Sequence, residues 1–214
     1  MSYLTIKDTG KFEFKEKKSV FIGEVIGVNT EEEAKEFVNK IKNENKEARH
    51  NVYAYIIGEN NGVQRYSDDG EPQGTGGMPI LEVIKRNELT DVVLVVTRYF
   101  GGILLGTGGL TRAYAKAAAE AIKQATTVEK VNGCELTVKL DYELLGKVQH
   151  NFQLNNWFIE NIIYTDRVEL SIFTEVSKVE IIIDAIKNIT SERCETKISG
   201  QGIYFKSDEK LYKL

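Results

Sequence analysis

The sequence contains little cysteine, and this scarcity excludes two classes of protein. Its 214 residues include 2 cysteines, Cys134 and Cys194, whereas a small secreted protein stabilised by disulfides needs several bridges. Neither cysteine lies in a Cys/His cluster with the spacing of a zinc site. We therefore expect both thiols to be reduced residues packed in the cores of their domains.

Long apolar segments are also missing. No run of about eighteen uncharged apolar residues occurs, so a membrane-spanning helix is not expected. The first residues, MSYLTIK, lack the apolar segment of a signal peptide. Together with the reduced cysteines, these absences predict a cytoplasmic protein without membrane partners.

Positive charge is not in excess. The chain has 28 basic and 32 acidic residues, which gives a net charge of -4. Proteins that bind extended duplex DNA present a broad basic face that releases counterions. The charge balance excludes such a face, so any contact with phosphate must be made by a local group of donors.

Hydrophobic patterning predicts an α+β protein of two domains, residues 1–131 and residues 132–214. In the first we expect early strands, a helix that begins with a capping box at Thr30, a hairpin across residues 60–62 and a fully buried strand over 91–96. Further helices should begin near Met78 and Leu110. The second domain has the order β-α-β-β-α-β of a ferredoxin-like fold, after a short connection near residues 128–132.

Two turns with the same sequence, Gly-Thr-Gly-Gly, occupy residues 74–77 and 106–109, each just before a predicted helix. Backbone amides at a helix N-terminus have no partner within the helix, and the helix dipole favours an anion there. Arg98 ends the strand between the two helices. We therefore expect both turns, Arg98 and an acidic loop over residues 68–71 to face one hollow. The alternative is that both turns are ordinary helix starts that bind nothing.

A second hypothesis is a metal-dependent or anion-dependent hydrolase. His50 with the carboxylates of Asp68, Asp69 and Glu71 could supply ligands or a general base, although a single histidine at the start of a strand is usually structural. A serine triad with Ser67 is disfavoured, because adjacent residues of an extended chain point to opposite faces. The glycine turns lack the complete nucleotide-binding motifs, so we predict no cofactor, and the sequence identifies no catalytic residue.

Three segments resemble a known family. HNVYAY at residues 50–55, SDDGEP at 67–72 and TRYFGGILLG at 97–106 are similar to the motifs of the Impact family, in particular its bacterial branch. The third segment continues through GGLTRAY at 108–114. Val52 stands where we expect cysteine in that family, so a thiol mechanism is not expected at this position. Gly76 stands where alanine is usual.

The resemblance implies a fold and a role. The first domain should adopt the fold of the second domain of ribosomal protein S5, which domain four of elongation factor G shares, and the second domain should resemble domain five of that factor. Eukaryotic members regulate translation by competing for the co-activator of the kinase that senses uncharged tRNA. For this chain the resemblance implies a non-enzymatic protein that contacts RNA, the ribosome or a translation factor.

The residues predicted to form the binding surface come from the motifs and the glycine turns. They are His50, Asp68, Asp69, Glu71, Gly74, Thr75, Arg98, Tyr99, Gly101, Gly102, Gly106, Gly108, Gly109 and Arg112. Lys116 lies one helical turn beyond Arg112 and would extend the surface. A third hypothesis is a protein-interaction surface on the second domain, anchored by Trp157, Phe158 and Tyr204, although such aromatics more often belong to a core or its rim.

Overall fold

The computed structural model describes residues 2–213, which form two compact units. One comprises residues 3–128, and the other comprises residues 129–213 together with Ser2. The chain passes from the first unit to the second inside a strand, Thr126–Leu140. The prediction of a short connection near residues 128–132 is therefore wrong, since these residues continue the strand.

The first unit contains an antiparallel sheet in the order β2-β3-β6-β4-β5. The first part of the chain contains the elements β1 (Ser2–Asp8), β2 (Gly10–Glu16), β3 (Ser19–Gly27), α1 (Glu31–Glu44), β4 (His50–Ile57), β5 (Val63–Ser67), α2 (Gly77–Arg86), β6 (Val92–Tyr99) and α3 (Thr107–Gln124). The capping box is present, because the Glu33 amide donates to Thr30 Oγ1 at 3.2 Å. The predicted hairpin pairs β4 with β5.

Strand β6 lies at the centre of this sheet and is buried on both faces, as its continuous apolar run predicted. Val92, Leu94 and Val96 pack with the apolar residues of α2 and α3, whereas Val93 and Val95 pack with those of α1. Side chains alternate between the two faces of a strand. Arg98 therefore continues the row that faces α2 and α3.

The second unit has the predicted ferredoxin-like order of elements with one additional strand. It contains β7 (Thr126–Leu140), α4 (Tyr142–Leu154), β8 (Ile159–Tyr164), β9 (Val168–Glu175), α5 (Val179–Thr190), β10 (Cys194–Ser207) and β11 (Lys210–Lys213). Its strands follow the order β11-β10-β7-β9-β8. Strand β11 was not predicted; it extends the sheet by pairing with the long strand β10.

The cysteines are free thiols, as expected. Cys134 is buried in the core of the second unit, and its burial raises the pKa of the thiol. Cys194 is half-buried against the same core. Among the helices within residues 2–213, none combines the length and apolar character needed to cross a membrane.

Candidate functional site

The first glycine turn is closed by a side chain of its own loop. The Asp68 carboxylate accepts hydrogen bonds from the amides of Gly76 and Gly77 through Oδ1, at 3.0 and 2.9 Å. Its Oδ2 accepts a third from Gly74 at 2.8 Å. Asp68 is thus the anion at the N-terminus of α2, where carboxylates are favoured. The amides that we expected to face an external ligand are already occupied.

Asp69 anchors the same loop to its surroundings. It adopts a positive φ of 43°, and its carboxylate accepts from the Asn51 amide at 2.6 Å and from Lys42 Nζ at 2.7 Å. Its carbonyl oxygen lies 2.8 Å from His50 Nδ1. A carbonyl can only accept, so Nδ1 carries the proton and Nε2 of the neutral ring remains an acceptor.

Glu71 forms a buried ion pair with Arg98, in which Glu71 Oε1 and Arg98 Nη1 are 2.7 Å apart and the two side chains are 4% and 5% exposed. The Tyr114 hydroxyl of α3 donates to the same Oε1 at 2.7 Å. Burial, reinforced by this bond to Glu71, raises the pKa of Tyr114, so the hydroxyl stays protonated and remains a donor. The pair fixes the acidic loop between β6 and α3.

Arg98 differs from our expectation of a direct phosphate contact. Its guanidinium carbon lies 5.4 Å from the ring centroids of both Phe21 and Phe100, which is cation–π distance. Within residues 2–213, Arg98 Nε is the one buried side-chain nitrogen or oxygen without a hydrogen-bond partner. Because Arg98 follows the inward-facing row of β6, it is held in the interior.

The second glycine turn is open. Gly106 precedes α3 with a positive φ of 72°, and within the described residues no side chain caps the amides of the first turn of this helix. These residues border a cavity of about 290 Å³. We call it the α3 cavity; it is lined by Arg49, His50, Glu71, Pro72, Arg98, Phe100, Leu104, Leu105, Gly106, Thr107 and Leu110.

The walls of the α3 cavity combine apolar surface with positive charge. Phe100 is 38% exposed and Leu104 is 83% exposed, which is unusual for large apolar side chains on one loop. The Arg49 guanidinium lies 5.7 Å from the Phe100 ring centroid. Glu71 is the acidic residue of the wall, and Arg98 neutralises it. The cavity therefore favours a ligand that has both an anionic and an apolar part.

A second depression, of about 250 Å³, shares Leu105 with the α3 cavity and is basic. It is lined by Lys17, Gly109, Arg112 and Lys116 among others. Arg112 and Lys116 are exposed on consecutive turns of α3, and Lys116 Nζ lies 4.4 Å above the Phe14 ring. Because the net charge of the chain is acidic, we expected any phosphate contact to be made by a local group of donors. This depression is such a local basic surface.

The predicted hollow is present in part. The second turn, His50, Glu71 and Arg98 border one cavity as expected, but the first turn is closed by Asp68. Tyr99 lies on the opposite face of the sheet, where its hydroxyl donates to Asn45 at 2.7 Å. Thr75 is buried and donates to the Pro72 carbonyl.

Gly101 and Gly102 have roles in the backbone path into the cavity. The Gly101 amide donates to Ser19 Oγ at 3.2 Å, and a Cβ at this position would collide with the backbone of Lys18. Gly102 has a positive φ of 82°, which glycine adopts without strain. The two glycines therefore turn the chain after β6 so that residues 103–105 reach the surface.

The arrangement predicted for a hydrolase is not formed. Asp68, Asp69 and Glu71 each accept hydrogen bonds from a different set of donors. In the part of the chain that the structure describes, no group of three or more His, Cys, Asp or Glu side chains could hold a metal ion. Ser67 Oγ accepts from the Asp69 amide, so it has a turn-forming role.

Sequence reasoning missed several residues of the site. Phe100 and Leu104 were quoted within a motif but not identified as cavity walls, and Arg49 was not singled out. Tyr114 was not among the predicted site residues; its hydroxyl, on a helix face otherwise rich in alanine, was the signal that a buried polar partner was needed. Nothing in the sequence distinguishes Ser19.

The aromatics proposed as anchors on the second unit have different surroundings. Tyr204 is buried and packs against Phe173 at a centroid distance of 5.4 Å. Trp157 is half-buried and packs edge-on against Phe152. Phe158 is 42% exposed. Only Phe158 of the three is available as a surface anchor.

These features define a two-domain α+β protein with a glycine-rich, locally basic site on its first domain and a ferredoxin-like second domain. The Impact N-terminal domain model matches residues 17–122, and a domain of unknown function, DUF1949, matches residues 138–193. Over 196 residues the chain is 40% identical to "IMPACT family member YvyE" of Bacillus subtilis, which covers 92% of this chain and 90% of that protein. The chain therefore belongs to the Impact family, as its motifs predicted.

Two further comparisons agree with this assignment. The chain is 39% identical over 135 residues to "IMPACT family member YigZ" of Escherichia coli, a match that covers 62% of this chain and 66% of that protein. A solved structure, described as the crystal structure of an hypothetical protein, superposes with a TM-score of 0.61 at 31% identity. The superposition covers 91% of this chain and 96% of the chain in that structure.

Proposed function

We propose that this protein is a non-enzymatic, translation-associated protein that binds ribosomal RNA through the first turn of α3 and the basic side chains beside it. The observation that carries this proposal is the uncapped N-terminus of α3 next to exposed Arg112 and Lys116. Free amides, a helix dipole and two cations form a compact phosphate-binding surface. The family resemblance supports a role in translation, because it implies that eukaryotic members regulate that process.

A local surface of this kind is compatible with a net charge of -4. Backbone amides and two or three cations bind phosphates at one place and do not require a basic chain. RNA folded on the ribosome presents phosphates at fixed positions, so a small rigid surface can recognise it by shape.

Co-sedimentation with purified bacterial ribosomes over a range of salt concentrations tests the proposal. The wild-type protein should enter the ribosomal fraction at low salt and leave it as salt rises. The double variant Arg112→Ala/Lys116→Ala should dissociate at lower salt, with its salt slope reduced by about two, roughly one for each lost phosphate contact.

The matched control is Lys85→Ala/Arg86→Ala, which removes the same charge from exposed positions on a different helix, in the last turn of α2. It should sediment like the wild type. If the protein remains at the top of the gradient at every salt concentration, or if the two double variants behave identically, the proposal is wrong.

A further inference from the structure

The α3 cavity has more features than a phosphate site needs. A bare phosphate requires amides and cations, yet the cavity also exposes the Phe100 ring and the Leu104 side chain. We propose that this cavity binds one unstacked nucleotide of single-stranded RNA, with its base against Phe100 and Leu104 and its phosphate on the first amides of α3. This inference rests on the proposed function and specifies what the surface recognises.

The electrostatic part of the argument depends on two independent observations. Among residues 2–213 no side chain caps the first amides of α3, and Arg98, which lines the cavity, has a buried Nε without a partner. The Arg98–Glu71 pair is neutral overall, whereas Arg49 adds an exposed positive charge. The cavity therefore attracts an anion beside the helix N-terminus.

The apolar part of the argument specifies the rest of the ligand. The two guanidinium groups of Arg49 and Arg98 are at cation–π distance from the Phe100 ring, at 5.7 and 5.4 Å. The ring nevertheless remains 38% exposed. Flat nucleobases stack on exposed aromatic rings and on guanidinium planes. A nucleotide carries both the flat ring and the phosphate that this combination fits.

Hydrogen-bond acceptors in the wall fit the edge of a base. In the neutral imidazole ring His50 Nε2 is an acceptor, because Nδ1 is bonded to the Asp69 carbonyl. Glu71 uses Oε1 for both Arg98 and Tyr114, and no bond from the described residues reaches Oε2. Amino groups of adenine, cytosine and guanine donate to such acceptors. The Watson–Crick edge of a base is free only when the base is unpaired, so we expect single-stranded RNA.

The experiment compares two single strands of equal charge. One is an oligoadenylate about ten nucleotides long, and the other has the same sugar–phosphate backbone without bases; both are titrated against the full-length protein by fluorescence anisotropy at one salt concentration. The wild-type protein should bind the oligoadenylate roughly tenfold more tightly, which is the usual effect of one stacked base.

Variants of the cavity wall identify where the base lies. Phe100→Ala should abolish the preference for the strand with bases, so that the variant binds the two strands equally. Leu104→Ser should reduce the preference as well, and at 83% exposure its replacement does not affect the core. Tyr66→Ala is the matched control, since Tyr66 is a 44% exposed aromatic on β5 outside the cavity; it should keep the full preference.

The outcomes separate this inference from the proposed function. Equal affinity for the two strands, or a preference that survives both cavity variants, overturns the nucleotide inference while phosphate binding by the α3 surface stands. Failure of both strands to bind at low salt, while the protein still sediments with ribosomes, overturns the inference alone; loss of ribosome co-sedimentation as well overturns the proposed function.

Discussion

Residues 74–77 and 106–109 have the same sequence, and each turn leads into a helix that packs on the same face of the first sheet. The first turn is closed, because the Asp68 carboxylate accepts hydrogen bonds from three of its backbone amides. The second is preceded by residues 103–105, whose apolar side chains offer no acceptor, and it remains open beside a cavity. The residues before a glycine turn, and not the glycines themselves, therefore decide whether the turn can bind an external anion.

The largest expected effect comes from the ion pair that links the two regions. Glu71 belongs to the loop of the first turn and also lines the cavity of the second. Glu71→Ala would leave Arg98 buried and unpaired, which costs about 3–5 kcal/mol in the free energy of unfolding. Urea denaturation measures this loss directly.

Glu82→Ala provides the control for that measurement. Glu82 pairs with Lys85 on the exposed surface of α2, with 3.6 Å between Lys85 Nζ and Glu82 Oε1. Such a pair contributes less than about 1 kcal/mol. If Glu71→Ala costs no more than Glu82→Ala, the buried pair does not stabilise the first domain as we describe.

Removal of the internal anion should have the next largest effect. Asp68→Ala deprives the amides of Gly74, Gly76 and Gly77 of their acceptor, with an expected loss of about 2 kcal/mol in unfolding free energy. Asp68→Asn retains an acceptor oxygen and should lose less. Thr107→Ala, at the open turn, should change stability by less than about 0.5 kcal/mol. Similar losses for Asp68→Ala and Thr107→Ala would contradict the distinction between the turns.

A smaller effect should separate the third residue of each turn. A Cβ on Gly76 would lie 2.8 Å from Val52 Cγ1, whereas a Cβ on Gly108 would meet nothing nearer than Arg112 Nη1 at 3.7 Å. Gly76→Ala should therefore cost about 1–2 kcal/mol through overpacking. Gly108→Ala should be neutral or stabilise the helix by up to about 1 kcal/mol. Thermal and urea unfolding of both variants test this difference.

The double variant Gly76→Ala/Val52→Cys is the decisive control for the overpacking explanation. A cysteine side chain is smaller than that of Val52 and leaves room for the new methyl group, so the pair should recover most of the lost stability. Additive losses in the double variant would show that the two positions are independent.

The fold could be predicted from the sequence wherever the signal is local. The capping box at Thr30, the hairpin between β4 and β5 and the buried strand β6 depend on a few neighbouring residues and are confirmed. The inward direction of Arg98 could also have been predicted, because it continues the even-numbered row of β6, which consists of Val92, Leu94 and Val96.

The closure of the first turn could not be predicted in this way. It requires Asp69 and Gly70 to adopt positive φ angles of 43° and 87°, which fold the loop back so that Asp68 reaches amides six to nine residues later. Tertiary packing also exposes Phe100 and Leu104 on a loop whose composition alone would place them in the core. Only the structure therefore identifies Phe100 and Leu104 as part of the site.

The most direct test of the account is an NMR titration of the isotopically labelled protein with oligoadenylate at low salt. Glycine and threonine amides of the two turns give separate signals in the same spectrum. We predict that the amides of Thr107, Gly108 and Gly109 shift with increasing RNA, while those of Gly74, Gly76 and Gly77 do not. Shifts at the first turn, or unchanged signals at the second, would contradict the claim that only the open turn binds an anion.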